Sequence, residues 1–221
     1  MKAIPLFAVA FTLVTSAFGG VEIIQTVENA ARPEMDMTLK VQVEGNQARV
    51  DIGDTMSTIT GRDDGSLTTL MHGQKMAMTI PSSAIDAMKS RMKDLANDSA
   101  EIDIKPTGRK EEINGFSCEE YTGTVRGMKS TYWITNDVPN QAEIVKQLSK
   151  LAGDSDPFKG VFVSEEFPGF PIRTEVTSEQ AGASVLTVQS VTEKDVPAGA
   201  FEVPEDYKST AMPTLPGGIG N

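Results

Sequence analysis

The chain has 221 residues, with 31 acidic against 20 basic side chains for a formal charge of −11, and it holds one histidine, one cysteine and one tryptophan. So acidic a chain is a poor partner for nucleic acid or an anionic membrane surface; one cysteine forbids an intramolecular disulfide, and one histidine forces any Ser-His-Asp or Cys-His chemistry through a single position. The length suffices for one sizeable core, and no repeat or composition break argues for a second.

Lys2 opens the chain as a positive n-region, Ile4 to Val14 form an apolar h-region broken by Pro5 and Thr12, and Thr15-Ser16-Ala17-Phe18-Gly19 supplies small residues before a cut. Residues 1–19 therefore read as a cleavable signal peptide, cut after Gly19. The apolar run is shorter than the roughly 20 residues of a retained anchor, so no stable membrane insertion is expected after cleavage. The residue directly after the cut is Gly20 rather than a cysteine, which argues against a lipoprotein. The expected location is periplasmic or secreted, and loss of Lys2 leaves a mature chain of formal charge −12.

Strand periodicity dominates the first half. Met35, Met37, Leu39, Val41 and Val43 alternate with Asp36, Thr38, Lys40, Gln42 and Glu44, the pattern of a sheet with one dry and one wet face. Gly45-Asn46 turns the chain into Ala48, Val50 and Ile52, alternating with Gln47, Arg49 and Asp51. His72-Gly73-Gln74-Lys75 reads as a two-residue Gly-X hairpin in which His72 pairs with Lys75 and Met71 with Met76. That parity puts Leu67, Met71, Met76, Met78 and Ile80 on one face, taken as core, with His72 on the other, in solvent. Ser82 or Ser83 caps a helix over 82–96 with Ile85, Met88, Met92 and Leu95 in one stripe. Further strands are expected at 100–105, 117–126, 129–135, 171–178 and 183–192, and Asn114-Gly115 predicts a type I′ hairpin. A second helix over 139–152 carries Ile144, Val145, Leu148 and Leu151, with Pro139 in its first turn and Gly153 as its stop. The fold class is α+β: one large curved antiparallel sheet, an open half-barrel, with two short amphipathic helices covering one face. The domain runs over 20–208, and residues 209–221, with Pro213, Pro216, Gly217 and Gly218, read as a disordered tail.

Few polar groups converge. His72 lacks an evident orienting partner, which argues against general-base use. The Met-rich hairpin of Met71, Met76 and Met78 admits a soft-metal reading, which needs at least three converging soft ligands, but methionine is equally an adaptable core filler and no metal site is assigned. Asp154-Ser155-Asp156 misses the calcium-loop pattern, because its glycine comes late, at Gly160. Gly61 to Gly65 reads as a polar turn. Cys118 shares a face with Ile113 and Phe116, as a buried inert thiol, and Trp133 reads as core rather than pocket.

Three stretches, Leu70 to Pro81, Glu112 to Tyr121 with Tyr132 to Thr135, and Val191 to Tyr207, together resemble the exported domain-of-unknown-function family 4412, related in fold to the periplasmic lipoprotein carrier LolA and its lipoprotein-sorting relatives. The resemblance implies an open antiparallel barrel whose interior takes acyl chains or other apolar ligands. Here that interior would be lined by Met37, Leu39, Val41, Val50, Met76, Met78 and Trp133, with Met88, Met92, Ile144 and Leu148 as lid. The expected function is a non-enzymatic exported binding protein that holds a lipid or other apolar ligand and uses no cofactor. The alternatives are an envelope structural or interaction module, recognising a protein partner by a strand edge or its acidic surface, and, third, a copper-type binder using the Met-rich hairpin.

Overall fold

The computed structural model describes residues 19–60, 64–87, 103–125, 128–152, 167–178 and 182–211. They form one open sheet of twelve strands: β1 (Val21–Asn29), β2 (Met37–Glu44), β3 (Gln47–Ile52), β4 (Met56–Thr60), β5 (Leu67–Met71), β6 (Met76–Ile80), β7 (Asp103–Ile113), β8 (Phe116–Val125), β9 (Met128–Thr135), β10 (Phe170–Ser178), β11 (Gly182–Glu193) and β12 (Lys208–Ala211). Their spatial order is β12-β6-β5-β4-β3-β2-β1-β11-β10-β9-β8-β7. Every pairing is antiparallel except that of β12 with β6. Helix α1 begins at residues 82–87, and α2 spans Gln141–Ala152; the rest of the helix expected over 82–96, the segment at 154–160 and the signal segment up to residue 18 lie outside the described residues. Among the described residues no helix is long and apolar enough to cross a membrane.

Local chemistry places the turns. Asn114 and Gly115 both take positive φ, 51° and 84°, as a type I′ turn requires, and they set Ile113 opposite Phe116. Asn140, also at positive φ, precedes α2, and its carbonyl accepts from the amides of Glu143 and Ile144. Pro139 therefore stands before the helix rather than in its first turn.

Three strands are missing from the sequence expectations, β1, β4 and β12, and β1 is the strand between the two halves of the sheet. It pairs with β2 from Val21↔Val43 to Val27↔Met37 and with β11 from Val21↔Glu193 to Asn29↔Ser184. Gly20 precedes it in a slot without room for a side chain: an added Cβ would meet the Lys194 carbonyl oxygen and Val196 Cγ2, both at 2.7 Å. Met35 falls in a 3₁₀ turn, Pro33–Met35, outside β2, and is 46% exposed.

The main core joins Val21 and Ile23 of β1, Val41 and Val43 of β2, Trp133 of β9, and Phe170 and Ile172 of β10 with Ile144 and Val145 of α2, while Val50 and Leu148 pack against it. The α2 stripe thus rests on β2 and β3. A second cluster lies on the opposite face of β4–β6, where Ile59, Leu70 and Ala77 meet Val196 and Phe201 of the chain that follows β11. A third gathers Tyr132, Ile134 and Phe167.

Three further expectations are corrected. The 72–75 loop is not a two-residue hairpin, because His72–Gln74 form a 3₁₀ turn and Lys75 adopts the left-handed conformation, although Met71 does pair with Met76. The Leu67–Met71–Met76–Met78–Ile80 face is not the sealed core either. Those residues are half-buried, while Leu70 and Ala77 on the opposite face are buried under the C-terminal segment. The chain is also paired through Ala211, so residues 209–211 are strand rather than tail.

Ile144 is 0% exposed within the main core, so Ile144→Ala is expected to cost about 2–5 kcal/mol from lost burial and the cavity left behind, read as a lower urea midpoint with an unchanged m-value.

Candidate functional site

Two groupings of side chains could carry function, one on each face of the β2–β6 half. The first is apolar. Register aligns Val41 with Val50 and Leu39 with Ile52 across β2–β3, Val50 with Thr58 and Ile52 with Met56 across β3–β4, and continues through Thr69 and Met71 to Met78 and Met76. Cross-strand partners share a face, so Met37, Leu39, Val41, Val50, Met76 and Met78 all belong to the face that carries α2. Val41, Val50, Trp133, Ile144 and Leu148 meet in one packed cluster. Met37, Leu39, Met76 and Met78 stand outside it, half-buried. Met88 and Met92 lie outside the described residues.

The second grouping is polar and occupies the face that alternation marks as wet. Asp51 of β3 pairs with Ser57 of β4 and with Lys40 of β2. The Ser57 hydroxyl donates to Asp51 Oδ1 at 2.6 Å, while Arg49 binds the same carboxylate through Nε at 2.5 Å and Lys40 through Nζ at 2.9 Å. With Asp51 ionised the serine proton is committed, so Ser57 Oγ accepts from Arg49 Nη2 at 2.9 Å and from His72 Nε2 at 2.7 Å. In the neutral imidazole, Nδ1 then accepts from the Tyr207 hydroxyl, 2.6 Å away. Arg49 Nη1 donates to the Ala200 carbonyl at 2.9 Å. The chain that follows β11 thus lies over this face, and His72 is half-buried with both nitrogens engaged, which corrects the expectation that it stands in solvent without partners. Nearby, Lys75 Nζ meets Asp206 Oδ2 at 2.7 Å, and the Lys208 amide donates to the Lys75 carbonyl.

This constellation holds a serine, a histidine and an aspartate, but in an order unsuited to nucleophilic catalysis. A triad needs the carboxylate on the imidazole and the serine oxygen free to attack. Here the carboxylate holds the serine, which is 0% exposed and already accepts two hydrogen bonds. What the arrangement does is fasten the C-terminal segment to β3–β5. Sequence reasoning missed Asp51, Ser57, Arg49 and Tyr207; the available signal was Val196 before Pro197 with Phe201 and Val203 between Pro197 and Pro204, apolar side chains that need a surface to cover.

At the far end of the α2-bearing face, buried Glu120 of β8 accepts from Thr107 Oγ1 at 2.6 Å and Arg109 Nη1 at 2.8 Å, and the Arg109 guanidinium lies 5.4 Å from the Trp133 ring centre. Cys118 is buried beside Ile113 in the main core; burial, with Asp137 nearby, pushes its thiol up to about 11, where little nucleophilic thiolate exists. Among the described residues no three His, Cys, Asp or Glu side chains gather as a metal site.

Burial alone would raise the Asp51 carboxyl, but hydrogen bonds from Ser57, Arg49 and Lys40 outweigh it and hold it below the usual carboxylate range. A depressed acid contributes stability above its unfolded pKa, near 4, and loses it as pH falls through the folded value. Asp51→Asn should therefore lower stability at pH 7 and flatten the acid limb, read from urea unfolding at several pH values between roughly 3 and 7. Tyr207→Phe removes one hydrogen bond to His72 and should cost about 1 kcal/mol, with faster hydrogen exchange confined to β12 and the amides around residue 207.

No protein of curated function matches the chain. Among solved structures, PNGF-II is similar over 88% of this chain and 32% of its own, at 11% identity and a TM-score of 0.42. MucB, solved in complex with MucA(peri), is similar over 85% of this chain and 55% of its own, at 10% identity and 0.42. The LolA superfamily protein NE2245 from Nitrosomonas europaea is similar over 83% and 89%, at 16% identity and 0.32. The chain thus spans about a third of the length of PNGF-II and about half that of MucB, and no activity or partner is carried over from them. The model of the family described as a domain of unknown function, DUF4412, matches residues 18–207, and the chain belongs to that family.

Proposed function

We propose that this is an exported binding protein without enzymatic activity, holding a lipid or similar apolar ligand against the sheet face that carries α2. The observation behind the reading is how that face is divided. It is apolar from Met37, Leu39 and Val41 through Val50 to Met76 and Met78, yet the α2 stripe packs on β2 and β3, and the side chains beyond stay half-buried. Apolar surface left in contact with water favours whatever covers it. Ile144 and Leu148 would form one wall and Trp133 another. Unbranched thioether side chains can repack around chains of different shape.

Export rests on the signal-like residues 1–19, and the seating of Gly20 immediately before β1 supports a mature domain that starts at the proposed cut. The acidic surface makes nucleic acid an unsuitable partner. Recognition of a protein partner through a strand edge has less support. The β7 edge carries Pro106, a bulge and a run of exposed charged side chains, and β12 is four residues long, both devices that discourage strand addition.

Native mass spectrometry of the protein, purified gently from the envelope of its own host, tests the reading. The expected result is a copurifying mass that extracts into organic solvent and matches a lipid, and that is lost from a Leu39→Glu variant of normal fold. An apo mass with no lipid uptake on incubation would overturn it.

A further inference from the structure

The methionines of β4–β6 are adjacent rather than scattered. Met56 pairs with Met71 across β4–β5, and Met71 pairs with Met76 across β5–β6. Such partners stand on one face with Cβ atoms roughly 4.5–5.5 Å apart, and a diagonal neighbour lies within about 7–8 Å. Three thioethers therefore sit side by side, and Met78, paired with Thr69, is diagonal to Met71. All four are half-buried and stand outside the packed clusters of the described residues, and three rotatable bonds each allow the sulfurs to turn toward a common point. The next row holds Thr58 and Thr69, whose side chains are smaller than methionine.

The hard ligands nearby face away. Asp51, Ser57 and His72 are on the opposite face and committed to one another, which excludes His72 from any such site. Lys208, paired with Met76, is exposed, so water screens its charge. A donor set of thioethers alone selects a soft monovalent cation over zinc, calcium or magnesium.

The geometry points to Met56, Met71 and Met76, with Met78 beside them, as a thioether site for a soft monovalent cation of the Cu(I) class. This goes beyond the apolar-ligand reading and does not depend on it, since ligand and cation would use different chemistry of the same face.

Silver ion is the probe, because it keeps one oxidation state. The purified protein, labelled with ¹³C at the methionine methyl groups, is titrated with Ag(I) and followed by NMR and native mass spectrometry. One Ag(I) should bind, shifting the Met56, Met71 and Met76 methyl signals together while Met35, exposed in its 3₁₀ turn, stays put. Met71→Leu keeps the apolar bulk and removes the central sulfur, and should weaken Ag(I) binding by about tenfold or more. Met56→Leu and Met76→Leu should each weaken it as well, which covers failure of any one variant to fold, and Met35→Leu should leave it unchanged. No Ag(I) uptake, shifts spread evenly over all methionines, competition by Zn(II), or an affinity indifferent to the substitutions at Met56, Met71 and Met76 would overturn the site.

Discussion

β1 is the strand through which the two halves of the sheet communicate. β2 to β6 and β12 lie to one side of it and β7 to β11 to the other. Within each half most neighbours are also consecutive in the chain, and their hairpins close short loops. The β1–β11 seam instead joins Val21 to Glu193, so the entropy of closing nearly the whole chain must be met before that pairing contributes. Val21 and Ile23 meet the demand by complete burial in the main core. Other crossings depend on the same seam: α2 follows β9 in one half yet packs on β2 and β3 in the other, and the chain leaving β11 returns to cover β3–β6 before β12 pairs with β6.

That return explains why the wet face is dry. Alternation in β2 and β3 establishes that the two faces differ, not that the polar one meets solvent. Gln42, Asp51 and Ser57 are buried, and burial is tolerable because partners are supplied: Asp51 takes Ser57, Arg49 and Lys40, Ser57 takes His72, and His72 takes Tyr207. A buried polar group costs little when hydrogen-bonded and several kcal/mol when not. The partners come from positions as distant as 40, 72 and 207, and no local window of sequence contains them.

The same distinction sorts what was legible. The Asn114-Gly115 hairpin, the α2 stripe of Ile144, Val145 and Leu148, and the shared burial of Ile113 and Cys118 follow from turn chemistry and periodicity, which act over a few residues. β1 was hidden beside the signal segment, with Ile24 on its outward side and Gln25 on its inward side breaking the alternation. β12, Lys-Ser-Thr-Ala, has little strand character of its own and owes its state to the edge of β6. His72 was placed on the correct face by parity, but its environment was not, because that depends on a tyrosine from the opposite end of the fold. On the α2-bearing face, the shared orientation of Met37, Leu39, Val41, Val50, Met76 and Met78 follows from strand parity once the strands are in order. Met56 escaped because β4 itself was not expected.

Where the three stretches that carry the resemblance fall in three dimensions shows what they do in the fold. Two of the three stretches that carry the resemblance, Leu70 to Pro81 and Val191 to Tyr207, meet at the His72–Tyr207 and Lys75–Asp206 contacts and in the cluster of Leu70, Ala77, Val196 and Phe201. Those residues hold the returning chain in place, and their chemistry is consumed in doing so. The exposed Lys75–Asp206 pair adds little energy of its own, whereas the apolar cluster and the buried hydrogen-bond chain specify one seating of the segment. The fastening does not use the opposite face of β4–β6, where Met56, Met71, Met76 and Met78 stand half-buried, outside the packed clusters of the described residues. Side chains on that face can change without unfastening the C-terminal segment, because the contacts that hold it lie on the other side of the sheet.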